Sequence, residues 1–191
     1  MSLDSCLFLL IKKAFQFYEI VLKIPFRPPR YFSAICMKYS RKYVPVGLTA
    51  KDSLLQKKYL NMSRKSYKKG VYINRPILKS YKHRNSSHVF RATNMYGVET
   101  MKPTRQLARA TGCKKWALEK IVNKGEGAYY SSGSRPNQTP QSWGYARLAS
   151  ALTGGPSSQV DYSILKDGCS KRSRPLKLAN HTMKNRRQTG K

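Results

Sequence analysis

Acidic residues are what this chain has least of. Asp and Glu number 8 against 38 Lys and Arg in 191 residues, for a formal net charge of +30. Acids this few and this scattered argue against the clustered carboxylates with which metal-dependent nucleases hold their cations. They also make compaction of the chain alone self-repulsive, so a polyanion is the natural partner. Nucleic acid comes first, then an anionic membrane or an acidic protein surface. Cysteines stand only at 6, 36, 113 and 169; with no C-x-x-C pair and no histidine placed to complete a ligand set, they read as ordinary intracellular thiols rather than zinc ligands. His83 and His88, without a Cys or acid nearby, read as solvated or locally bonded. Walker A, G-x-G-x-x-G, H-E-x-x-H and G-x-S-x-G patterns are absent. Ser132 and Ser134 have no neighbouring His or Asp and read as turn serines. The expectation is a protein without catalytic activity, cofactor, metal or small-molecule substrate.

A long clean apolar run is missing as well. Residues 3–26, LDSCLFLLIKKAFQFYEIVLKIPF, are apolar, but Lys12, Lys13, Glu19 and Lys23 interrupt them, which leaves less than the roughly 18 residues a spanning helix needs. The apolar block precedes its lysines and no small-residue cleavage site follows, so a signal peptide fits poorly. Two readings stay open: an amphipathic helix on an inner membrane, through residues 3–24, or on a partner, and a non-native extension ahead of Met37. Pro25, Pro28 and Pro29 end any helix there and stiffen the linker.

What is present is aromatic and apolar. Thirteen Tyr, 2 Trp and 40% apolar residues separate this chain from a disordered basic tail. The expected organisation is an apolar segment and Pro-rich linker over 1–36, a basic folded domain over 37–168 and a basic flexible tail over 169–191. The expected fold class is α+β, mainly helical, with a helix-turn-helix-like pair, a short β-hairpin and extended basic arms. Leu48 to Gly70 reads as a helix, with Thr49 as N-cap, Asp52 in capping-box position and Gly70 as the stop. Leu48, Leu55, Tyr59 and Met62 form its apolar stripe. The lysines and arginines from Lys57 to Lys69, nearly without paired Glu, read as a phosphate-contacting face rather than a solvated one. VYINRPIL and HVFRAT are rich in Val, Ile, Tyr and Phe and predict two strands around the loop Lys82 to Ser87, with Pro76 demoting the first to an edge or bulge.

QLARATGCKKWALEKIVNKG carries the helix-turn-helix pattern. Ala108 and Gly112 are four apart, Leu107, Leu118 and Ile121 supply the contact between helices, and Asn123, Lys124 and Gly125 close the second helix. Lys114 and Lys115 then open a recognition helix, although the pattern equally fits a structural helical hairpin. In the next segment Thr139 and Pro140 start a helix that Gly154, Gly155 and Pro156 stop. Trp143, Ala146 and Ser150 share one side of it, and Tyr145, Leu148, Ala149 and Leu152 another, so most of it is buried or at an interface. The loop before it presents Tyr129, Tyr130, Asn137 and Gln138 to a partner or base, or satisfies its own backbone; Arg135, beside a glycine turn and a helix start, is a candidate anion site. The remaining anion or nucleic-acid candidates are Lys120, Lys124, Arg147 and, in the tail KRSRPLKLANHTMKNRRQTGK, Lys171, Arg172, Arg174, Arg186 and Arg187. Leu176, Leu178 and Met183 are too few to fold that tail alone, which predicts disorder without a partner; a nuclear-localisation patch is the competing reading.

KYVPVGL, the stretch from TGCKKWALEKIVNKGEGAYY through SSGSRPNQTPQSWGYARLASALTGG, and VDYSIL together resemble an uncharacterised family of small basic proteins of large double-stranded DNA viruses, especially those of algae. The resemblance runs from about Tyr39 to Cys169. It implies a viral origin and a non-enzymatic structural protein of the virion, a minor capsid or capsid-associated component with other capsid proteins as partners. In the host cell such a protein would pass through cytoplasm or nucleus. The alternative is a DNA-binding protein for genome packaging or transcription, through the helix-turn-helix-like pair.

Overall fold

The computed structural model describes residues 39–189, with side chains through residue 185. The apolar N-terminal segment and its proline linker lie outside the described residues, as do Cys6 and Cys36. The compact unit begins at Tyr39, close to the expected boundary.

Helix α1, Ala50–Tyr67, starts where the sequence places it: the Thr49 hydroxyl accepts from the Asp52 N–H at 3.3 Å. Its buried face differs from the expected stripe. Gln56, Leu60 and Ser63 are buried, whereas Met62 is exposed. Polar groups turn inward because they cap carbonyls at the end of another helix. Ser63 Oγ donates to Tyr130 O, Arg64 Nη2 to Ser132 O at 2.7 Å, and Gln56 Nε2 to Ser134 O. A helix C-terminus leaves its last carbonyls without partners, and these side chains supply donors.

The expected β-hairpin is absent, and no strand occurs among the described residues. Residues 71–78 have no strand partner; instead the Asn137 side chain stands in for a ladder neighbour. Leu78 N donates to Asn137 Oδ1 at 2.7 Å, and Asn137 Nδ2 donates to Leu78 O and Tyr81 O. Asp52 fixes the next residues by accepting from both the N–H and the hydroxyl of Ser80. The second expected strand is helix α2, Ser87–Tyr96, stopped by Gly97 at φ 62°. Val89, Ala92 and Tyr96 reach the core from it, a spacing of three and four that only a helix puts on one side.

Helix α3, Arg105–Thr111, Gly112 at φ 66° and helix α4, Lys115–Ser131, form the expected pair, with Leu107, Leu118 and Ile121 fully buried. The expected stop at Asn123 to Gly125 does not occur, and α4 continues through Tyr129 and Tyr130. Gly125 is a packing residue: a Cβ there would lie 2.6 Å from Gly144 Cα. Gly144 belongs to helix α5, Pro140–Leu152, which begins with the expected Thr139 cap, here a reciprocal capping box with Ser142. A Cβ on Gly144 would stand 2.9 Å from Val122 Cγ1 and O. Two glycines at one crossing let α4 and α5 make the most extensive helix contact of the fold, which outweighs glycine's cost of about 1 kcal/mol in a helix.

Helices α6, Pro156–Val160, α7, Tyr162–Gly168, and α8, Arg174–Thr189, complete the chain. The last replaces the expected flexible tail. Leu176 and Ala179 are buried in the core and α8 packs on α5, α6 and α7, so the apolar residues too few to fold alone find a surface already built. The thiol reading also changes. Cys113, at the α3–α4 turn, and Cys169, at the end of α7, form a disulfide across 56 residues. Backbone bonds flank it, Lys114 N to Gly168 O at 2.7 Å and Ser170 N to Gly112 O at 3.0 Å.

Candidate functional site

Charge is organised around α5 in two ways. Asp161, the cap residue between α6 and α7 and fully buried, holds two cations. Arg147 Nε and Nη2 donate to its two oxygens at 2.7 and 2.9 Å, and Lys124 Nζ lies 2.8 Å from Oδ1. A planar guanidinium meets a carboxylate with two parallel bonds, the arrangement that favours Arg in half-buried pairs. Arg147 and Lys124 are therefore structural, and neither is a free anion ligand.

Next to that group, and sharing Arg147 with it, a pocket of about 410 Å³ opens between the turn at Lys42, the start of α2, the loop after α4 and the outer face of α5. Lys42, Arg84, His88 and Arg135 line it together with Arg147, and no Asp or Glu does. Neither Arg84 nor Arg135 has an ion pair, and no hydrogen bond involves either guanidinium among the described residues. Burial and the Arg135 charge both lower the Lys42 pKa. Burial first, then Arg91, Lys42 and Arg135, lower that of His88. His88 Nδ1 is itself buried without a hydrogen-bond partner. Ser86, the N-cap of α2, makes no side-chain capping bond, and Ser86, Ser87 and His88 all line the pocket. The positive end of a ten-residue helix thus faces the same space. The sequence places Arg135 beside a helix start; the uncapped one that lines its pocket is that of α2, whereas the capping box satisfies the start of α5.

Trp143 forms one wall. It is half-buried, with the Lys42 ammonium 5.4 Å from its ring centroid and Tyr43 edge-on at 6.3 Å. Gln138 is also in the lining and accepts from Ser142 Oγ at 2.8 Å. A second, open depression runs along α4, lined by Tyr67, Trp116, Lys120 and Lys124 among others. Lys120 lies 6.0 Å from the Trp116 ring centroid.

The other expected site residues separate. Lys114 is exposed as the N-cap of α4, while its backbone is tied to Gly168; Lys115 is exposed and pairs with Glu119 at 3.2 Å. Lys171, Arg172 and Arg174 are exposed at and before the start of α8. Arg186 and Arg187 fall in its last turns, with side chains outside the described residues. Among the expected interface residues, Tyr129 is buried under the Arg75 guanidinium at 3.6 Å and is not a docking ring. Tyr130, half-buried, stacks on Tyr67 at 6.1 Å. Asn137 is taken up by the backbone of Leu78 and Tyr81, and Tyr145 packs against the core. Sequence reading missed Lys42, Arg84 and His88 as site residues, because only folding brings positions so far apart together. Among the described residues no group of three or more His, Cys, Asp or Glu converges to hold a metal, and no helix is long and apolar enough to cross a membrane.

Residues 40–161 match the model of a family described as a family of unknown function (DUF5824), and the chain belongs to that family. The match contains every residue that lines the pocket, from Lys42 to Ser157. No curated protein and no solved structure matches the chain.

Proposed function

We propose that this protein binds nucleic acid electrostatically, without catalysis, through its uncompensated cations. The observation that supports this reading best is the cation group of the pocket, Lys42, Arg84 and Arg135, gathered where no carboxylate lines the surface. Holding like charges together without a counter-ion costs free energy that a bound polyanion returns. The α3–α4 pair contributes exposed Lys114 and Lys120. Its first turn abuts the end of α7, where a Cβ on Gly168 would lie 2.2 Å from that of Ala117, and this favours phosphate contact over base reading. The test is fluorescence anisotropy with duplex DNA over a range of salt. The logarithm of affinity should fall against that of salt with a slope of about −0.9 per neutralised phosphate. Binding indifferent to salt overturns the reading.

A structural role in a virus particle is the second reading. The Cys113–Cys169 disulfide favours it, since such bonds persist outside the reducing cytosol, and it agrees with the resemblance to viral proteins. Mass spectrometry of purified particles after salt and detergent stripping tests it: a shell component stays with shells, a genome-bound one leaves with DNA.

A further inference from the structure

We propose that the cationic pocket binds a dianionic phosphate monoester, the chemistry shared by the 5′-phosphorylated end of a nucleic acid and a free nucleotide. The proposal deepens the nucleic-acid reading by naming which phosphate this site takes.

The shape argues for an end rather than a backbone. Phosphates along a duplex sit on a convex ridge, carry one charge each and are flanked by sugars on both sides. A recess of about 410 Å³, within the usual size of small-ligand sites, admits a group attached on one side only. A monoester presents three acceptor oxygens and close to two negative charges near neutral pH.

Donors in the pocket match that demand. Arg84 and Arg135 bring guanidinium forks that no group among the described residues occupies, and such forks suit phosphate geometry. Lys42 adds an ammonium and α2 its uncapped N-terminus. His88 Nδ1 is a buried polar atom left without a protein partner. Arg147 is not counted, because Asp161 already takes its Nε and Nη2. Trp143 provides a half-exposed ring in the same wall, against which the sugar or base following the phosphate can rest once Lys42 turns toward the anion.

The experiment measures binding of the full chain to one single-stranded oligonucleotide with a 5′-phosphate and with a 5′-hydroxyl, and to adenosine 5′-monophosphate and inorganic phosphate. Arg84→Gln and Arg135→Gln serve as variants, with melting temperature as the folding control. The phosphorylated strand should bind about tenfold more tightly than the hydroxyl strand, the worth of a charge-assisted hydrogen bond. Each substitution should remove most of that preference, weaken the hydroxyl strand by much less than the phosphorylated one, and leave melting unchanged. Strong binding of adenosine monophosphate that competes with the strand identifies a free nucleotide as the source; a preference confined to the strand identifies a nucleic-acid end. Equal affinity for both strands, with neither small phosphate bound, overturns the proposal, and if binding still weakens with salt the electrostatic reading survives it. Binding of the small phosphates with no salt-sensitive binding of strands or duplex does the opposite: the monoester pocket stands and the electrostatic reading falls.

Discussion

Two groups of cations meet at α5, with Arg147 at their border, and they differ in one carboxylate. Around Asp161, Arg147 and Lys124 are charge-paired on a buried oxygen pair. Around the pocket, Lys42, Arg84 and Arg135 have no such partner among the described residues. With 8 acids for 38 Lys and Arg, most cations must go without partners. Asp161 stands where two cations meet inside the fold, and the pocket, open to solvent, is left for an anion from outside. A buried charge without a partner is far costlier than an exposed one, so the placement of a single acid separates the structural cations from the available ones.

Removing that acid should have the largest effect. Asp161→Asn leaves Arg147 facing a neutral amide and should cost about 3–5 kcal/mol, read by urea unfolding; a loss below about 1 kcal/mol would mean that solvent already screens the group. Reducing the disulfide is next. A closed loop of 56 residues corresponds to about 4 kcal/mol in the chain-entropy picture, and measured values often fall short of it; melting with and without reductant, checked against Cys113→Ser, reads it. Gly144→Ala should cost about 1–3 kcal/mol through overpacking against Val122. Arg135→Gln should leave melting unchanged or slightly raised, since it relieves repulsion in the pocket. A clear loss of stability there would erase the contrast between the two groups.

The pH dependence sharpens the same contrast. His88 takes up its proton at a lower pH when folded than when unfolded, because of burial first and then Arg91, Lys42 and Arg135. Its contribution to stability is therefore present above the unfolded value of about 6.5 and is lost as pH falls through that value toward the lowered folded one. His88→Gln should flatten that part of the stability profile, and a saturating anion in the pocket, which offsets the Lys42 and Arg135 charges, should raise the folded value toward the unfolded one and so shrink the loss.

Much of the local structure was legible because it depends on near neighbours. Thr139 and Pro140 start α5, Gly112 turns between α3 and α4, and Thr49 caps α1 as their chemistry requires. HVFRAT was not legible, since its β-branched and aromatic residues satisfy a strand preference that core packing of Val89, Ala92 and Tyr96 overrides. Gly125 looked like a stop because glycine usually marks one, whereas its reason is a helix that crosses it from 19 residues further on at Gly144. Arg135 could be singled out from its turn, and it lines the pocket. Arg84 and His88 could not, because nothing near them in the chain pointed to a pocket.

By itself the sequence determined the excess of positive charge, the mainly helical class and the starts of α1, α4 and α5, all of which follow from composition or from contacts within a few residues. Only the tertiary structure decided that residues 174–189 are a packed helix, that Cys113 meets Cys169, and which cations Asp161 neutralises. Each of these depends on what lies across the fold, because burial and distance set the strength of a charge or an apolar contact, and neither is defined until the chain has closed on itself.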